Sequence, residues 1–161
     1  MMPVNKKEHV IFTFLMVFFM AIVMTSYNVV MHNGFSLDSV RNAWLVFPFT
    51  FVTAFVCEWF IVGKIAMKLA HKVLKEDDAL VKRILVTALF FVTGMVTLMS
   101  FLGPVISNGF SSDLLQLWVK NIPVNFIMAY PLQVLIAGPF IRFIFRKLFP
   151  LGTLVEPAQV Q

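Results

Sequence analysis

Glu58 stands inside a long apolar run, between Phe55-Val56-Cys57 and Trp59-Phe60-Ile61-Val62. An ionisable group in such a place is costly to bury and is a functional candidate by default. It ends a ladder at i, i+4 spacing, Thr50-Ala54-Glu58; a second ladder, Asn125-Ala129-Gln133, is extended one turn earlier by Asn121. Residues four apart share a helix face, so each ladder is a narrow strip of small and polar groups. Such strips mark a helix contact or a cavity wall, because lipid would leave their hydrogen-bonding groups unpaired. The spacing therefore predicts that the two ladders face each other. Two readings of the chemistry stand. In one, Glu58 is a proton or cation site, with Gln133, Asn125, Thr50 and Asn121 as solute contacts. In the other, Glu58 is a structural clamp bonded to Gln133 or to a lysine near the membrane surface. Glu58 precedes Lys64 by six residues, about 9 Å of helix, and this shallow depth favours the clamp.

Other groups offer less. Met20-x3-Met24 and Met95-x3-Met99 place thioethers where soft sulfur could meet copper(I), or where flexible side chains simply fill gaps. No histidine or cysteine cluster accompanies them: His9, His32 and His71 are scattered, and Cys57 is the single cysteine. No cofactor is expected. Pro48, Pro123 and Pro131 each remove a helical donor; they, together with Pro139, are expected to act as packing kinks or as hinges. The chain has no nucleophile–base pair, phosphate-binding glycine loop or paired carboxylates, so no enzyme is expected.

The elements that position these groups follow from composition. Of 161 residues, 60% are hydrophobic, only 13% are charged and 19 are phenylalanine. A soluble globule of this length cannot hide so much apolar surface. The net charge of +5 suits anionic lipid headgroups better than nucleic acid, since the basic residues flank apolar runs with no aromatic platform between them. Four runs are long enough to cross a bilayer, at residues 10–31, 40–62, 84–106 and 114–136, the last continuing towards Phe145. The first is too long for a signal-peptide core and lacks a cleavage site, so it is expected to be retained. Tight hairpins are expected at Asn33-Gly34-Phe35-Ser36-Leu37-Asp38 and Asn108-Gly109-Phe110-Ser111-Ser112-Asp113, each with a glycine to close one helix and a serine or aspartate to cap the next.

Eleven of the 13 Lys and Arg residues fall on one side of these spans, leaving only Arg41 and Lys120 on the other. The positive-inside rule then puts both termini and the central loop in the cytoplasm. Between spans two and three, Lys64, Lys68, Lys72 and Lys75 recur at helical spacing. They predict an amphipathic extension over residues 64–75 that lies at the headgroups, with Glu76-Asp77-Asp78 capping the third span.

A shift of 75 positions superposes the chain on itself without a gap. The hairpin motif, Met20 on Met95, Met24 on Met99, Pro48 on Pro123, Ala54 on Ala129 and Gly63 on Gly138 all match, among 16 identities in 68 pairs. Residues 1–75 and 76–149 are thus two copies of one helix pair, followed by a tail at 150–161. Each copy has two spans, so the copies run parallel about an axis along the membrane normal. The fold class expected is all-α integral membrane, four transmembrane helices, N-in and C-in.

Several stretches, Asn5-Lys6-Lys7-Glu8 with Ile11-Phe12-Thr13, Glu58-Trp59-Phe60-Ile61-Val62-Gly63, Gly94 to Ser100, and Asn125 to Gln133 running on to Gly138-Pro139 and Arg142, carry a resemblance. The chain resembles a family of short bacterial inner-membrane proteins known only as a domain of unknown function, often with the helix pair in tandem. The resemblance implies a bacterial cytoplasmic membrane and supplies no activity. Lys64 stands where the second copy has Pro139, so the first copy's closing turn is expected to differ. From the residues, the leading expectation is a transporter or exporter of a small hydrophobic or cationic solute, acting as a homo-oligomer because four short helices enclose little space. The rivals are an accessory protein that binds lipid or a membrane partner, and an ion or copper(I) channel.

Overall fold

The computed structural model describes residues 6–75 and 77–149. Glu76 and the tail at 150–161 lie outside the described residues, so their expected roles do too. The described chain forms four long helical rods. The first is α1 (Lys6–Asn33). The second is α2 (Leu37–Cys57), a π-helical turn (Glu58–Val62) and α3 (Gly63–Val73). The third is α4 (Leu80–Asn108). The fourth repeats the second: α5 (Leu114–Pro131), a π-helical turn (Leu132–Ala137) and α6 (Gly138–Leu148). Each rod has a stretch long and apolar enough to cross a membrane.

The hairpins form as their residues predict. Gly34 and Gly109 hold φ of 76° and 75°, the left-handed side that glycine adopts without penalty. Their amides donate to the carbonyls of Val30 and Val105, which are counterparts under the 75-residue shift. At the start of the following helices Val40 N donates to the Ser36 carbonyl and Leu117 N to that of Asp113. The Asp113 side chain makes no cap bond. The cap expected from Asp77-Asp78 is also absent, because Ala79 takes the N-cap position of α4. Asp78 instead accepts hydrogen bonds from the Lys82 ammonium and the Lys75 amide. These bonds hold its carboxyl below the ordinary aspartate range, Lys82 contributing most. That turn is therefore fully tied above the ordinary range and loosens as pH falls through the depressed value.

Each rod packs against the two that run opposite to it, first on second, second on third, third on fourth and fourth on first. The shift of 75 turns this ring into itself, which is what a twofold axis along the bundle requires. Rods two and four are therefore diagonal. Between rods one and two the seam is aromatic. Phe47, Phe51, Phe55 and Trp59 stack at i, i+4 along rod two, while Phe14 and Phe18 meet them edge-on. Quadrupolar rings favour such edge-to-face contacts.

The extension at 64–73 does not peel away to lie on its own. It continues rod two as α3 and buries Ala66 and Ala70 against α4. Lys64, Lys68 and Lys72 point outward. Just below, Val62 is buried and a Cβ on Gly94 would sit 2.8 Å from its Cγ1. By register, the counterparts at the other seam are Phe19 and Ala137, so the small partner has changed helix between the copies. Gly94→Ala is expected to lower stability by about 1–3 kcal/mol through overpacking. Val62→Ala in the same chain should recover part of that loss, measured by thermal unfolding in detergent.

Candidate functional site

The ring of rods is not filled. Its inner faces line a partly open cavity of about 860 Å³ that reaches from His9, His71 and Arg142 near the chain ends to Asn28, Val46 and Leu117 towards the hairpins. Both sequence ladders line it: Thr50, Ala54 and Glu58 from rod two, and Asn121, Asn125, Ala129 and Gln133 from rod four. Their strips are cavity walls set opposite one another, and the helix contact predicted as one option is not made, because rods two and four do not pack together. A single chain already provides this volume, so want of space gives no reason for a second copy.

Glu58 is 7% exposed. Its carboxyl has no hydrogen-bond or ion-pair partner among the described residues, so the clamp to Gln133 or to a lysine is not formed. The reason is geometric. Gln133 is across the cavity, and Lys64 turns outward with its ammonium 5.8 Å from the Phe60 ring.

Glu58 and Gln133 share a backbone feature that the sequence reading missed. Each lies in a π-helical turn, and the carbonyl of each accepts the amide five residues on, from Gly63 and Gly138. A Cβ on either glycine would sit 2.8 Å from that same carbonyl oxygen. The wider turn thus exists because glycine lets the carbonyl fall inward. Both copies make it, although Lys64 follows the glycine in one and Pro139 in the other; the closing turns expected to differ are alike. Pi-turns inside α-helices are rare and gather at functional sites. The signal available in the sequence was the glycine pair matched at the 75-residue shift.

The prolines act differently from one another. α2 runs on through Pro48 and α5 through Pro123, while Pro131 ends α5 where the fourth rod's π-turn begins. Pro104, not singled out in the sequence, lies inside α4.

Met20, Met24, Met95 and Met99 all line the cavity. Met20 and Met24 also pack on the cluster of Val92, Val96 and Ala129. Among the described residues no three His, Cys, Asp or Glu side chains group as a metal site. Lys75, placed by sequence among the headgroup lysines, is exposed and also lines the cavity, as does Arg83, whose guanidinium donates to the Lys75 carbonyl at 3.1 Å. A further ion pair went unforeseen. Glu8, 3% exposed, lies 3.7 Å from Arg146 and ties rod one to rod four near the chain ends. It reads in sequence as one charge in a polar leader.

Polar groups also cross the third and fourth rods. The Asn125 amide nitrogen donates to the Ser100 hydroxyl at 3.0 Å, and the Trp118 indole donates to the Thr97 carbonyl at 2.8 Å. These bonds fix the height at which α5 meets α4.

The geometry defines a bundle of two tandem helix hairpins around a mostly apolar internal cavity with one unpartnered carboxyl in its wall. The chain belongs to the family described as Domain of unknown function (DUF2798), whose pattern it matches twice, at residues 5–74 and 81–149. It is 36% identical over 153 residues to the Uncharacterized protein YybC of Bacillus subtilis (strain 168), covering 91% of this chain and 94% of that one. No solved structure matches the chain.

Proposed function

We propose that the protein is a carrier in a bacterial cytoplasmic membrane that moves a small, largely apolar cation in exchange for a proton at Glu58. The observation that supports this most is a carboxyl 7% exposed, without a partner among the described residues, in the wall of a cavity of about 860 Å³. A cavity of that size accommodates a drug-sized molecule. A buried carboxylate needs a counter-charge or a proton, and one that takes either in turn couples the two. The outer faces of the rods are apolar, with Phe49, Ile127 and Leu135 more than two-thirds exposed, as lipid-facing helices are. Both termini lie on the cytoplasmic side by the distribution of Lys and Arg, and Lys64, Lys68 and Lys72 meet anionic headgroups there.

The test uses purified protein in vesicles of neutral lipid with an acid interior and tetraphenylphosphonium outside. Uptake should be driven by the proton gradient and should collapse when the gradient is dissipated. No uptake by the wild type under any gradient would leave the accessory role as the better reading.

A further inference from the structure

At two places the copies differ in charge while both counterparts line the cavity. Glu58 of rod two stands where rod four has Gln133, and Arg142 of rod four stands where rod two has Met67. Each copy thus adds one charge, of opposite sign, and the two charges stand on diagonal rods.

Neither charge is matched within the chain. Glu58 and Arg142 both lack a hydrogen-bond or ion-pair partner among the described residues. Arg146 makes the contrast plain: it follows Arg142 by one helical turn and has Glu8 at 3.7 Å. Of the two arginines, the one deeper along the bundle is left open. Nor is either charge sealed away. No carboxylate oxygen of Glu58 and no guanidinium nitrogen of Arg142 is fully enclosed, and both residues line the chamber. Further towards the chain ends the wall adds Arg83 and Lys75, whereas among the described residues Glu58 is its only acid. A cation is therefore favoured at Glu58 and an anion from Arg142 outwards.

The spacing follows from the repeat. A twofold along the bundle preserves height, so Glu58 and Gln133 are level. Arg142 follows Gln133 by nine residues, about 13 Å of helix. The arginine stem covers part of this distance, leaving on the order of 10 Å between the charged groups. That is too far for an ion pair, and a solute can bridge it.

We propose that the cavity takes a solute charged at both ends, with an ammonium at Glu58, a carboxylate at Arg142 and an apolar chain between them. This rests on the carrier reading and gives the cation of that reading an anionic end. Tetraphenylphosphonium meets only the first of the two charges.

The experiment is calorimetric binding of octylammonium, ω-aminooctanoate and octanoate to the full chain purified in non-ionic detergent. The charges of extended ω-aminooctanoate are about 10 Å apart, and those of ω-aminobutanoate only about 5 Å. The wild type should bind ω-aminooctanoate about tenfold more tightly than octylammonium, the effect of one charge-assisted hydrogen bond. ω-Aminobutanoate, too short to reach both groups, should gain nothing over butylammonium. Arg142→Met installs the residue that the first copy already has at this place. It should reverse the preference, because a carboxylate in the chamber then lacks its counter-charge, and Arg142→Lys should keep part of it. Equal binding of octylammonium and ω-aminooctanoate by the wild type overturns the two-ended solute and leaves the carrier standing. A preference that survives Arg142→Met, or one equally large for ω-aminobutanoate, does the same. Octanoate binding as tightly as ω-aminooctanoate also overturns it, since the anion alone would then suffice. If neither octylammonium nor ω-aminooctanoate binds, the carrier reading falls and the two-ended solute with it.

Discussion

Glu58→Gln is expected to leave the fold intact and to remove proton-driven uptake of tetraphenylphosphonium, by about 10- to 100-fold, the range of one charge-assisted contact. The fold should hold because the protein already makes the same substitution internally. Gln133 is the counterpart of Glu58, in the same π-helical turn of the other rod and lining the same cavity. Uptake should fail because glutamine neither binds a proton nor balances a cation. A variant whose uptake still follows the proton gradient would remove Glu58 from the mechanism.

The complementary exchange is sharper. Gln133→Glu in the Glu58→Gln chain restores a carboxyl at the position related by the twofold, so part of the activity should return. Recovery should be incomplete for a stated reason. Arg142 follows Gln133 on the same rod and lines the cavity, whereas its counterpart in the first copy is Met67. A carboxylate at 133 shares its own rod with that cation, nine residues on, whereas Glu58 has Met67 at the matching place, so at 133 the cation competes with the solute. Adding Arg142→Met should therefore raise uptake further. No recovery in either chain would mean that the two walls are inequivalent in function, and that the divergence of the copies is itself part of the mechanism.

How much of this was legible in the sequence differs from element to element. The rods and hairpins were, because their signals are local: apolar run length, and glycines at 34 and 109 that adopt positive φ. The repeat was legible because identities at one fixed shift need no three-dimensional knowledge. Which rods touch was not. Polar ladders fit a helix contact and a cavity wall equally, and only the ring of packing partners separates the two. Ser100 escaped notice because a hydroxyl in an apolar run ordinarily bonds the preceding turn, as Thr93 and Thr97 do here. Glu8 escaped for the opposite reason, since charged residues at a helix start are commonplace. Asp78 was misread because capping was judged on residue type alone, while its carboxyl is occupied by Lys82 and the Lys75 amide.

Gly63→Ala and Gly138→Ala are expected to destabilise the protein, although alanine in a helix interior ordinarily stabilises by about 1 kcal/mol relative to glycine. The sign reverses because the added Cβ would meet the carbonyl oxygen of Glu58 or Gln133 at 2.8 Å. That oxygen belongs to the backbone and cannot swing aside as a side-chain end can. Relief requires the π-turn to open, and each opening breaks the amide-to-carbonyl bond five residues long. Each substitution should cost about 1–3 kcal/mol, the usual range for forcing a methyl group into filled space. The losses should be close to additive, since the turns lie on rods that do not pack together. Thermal unfolding followed by circular dichroism in detergent measures this. A consequence for the site follows from the same geometry. Val62 closes the first π-turn, and the buried Ala66 and Ala70 follow it, so winding it into an ordinary α-turn would rotate α3 against α4 and Glu58 against the cavity together. Solute affinity should therefore fall in Gly63→Ala even at temperatures where the protein is fully folded, and stability loss without any loss of affinity would show that the turn shapes the rod but not the site.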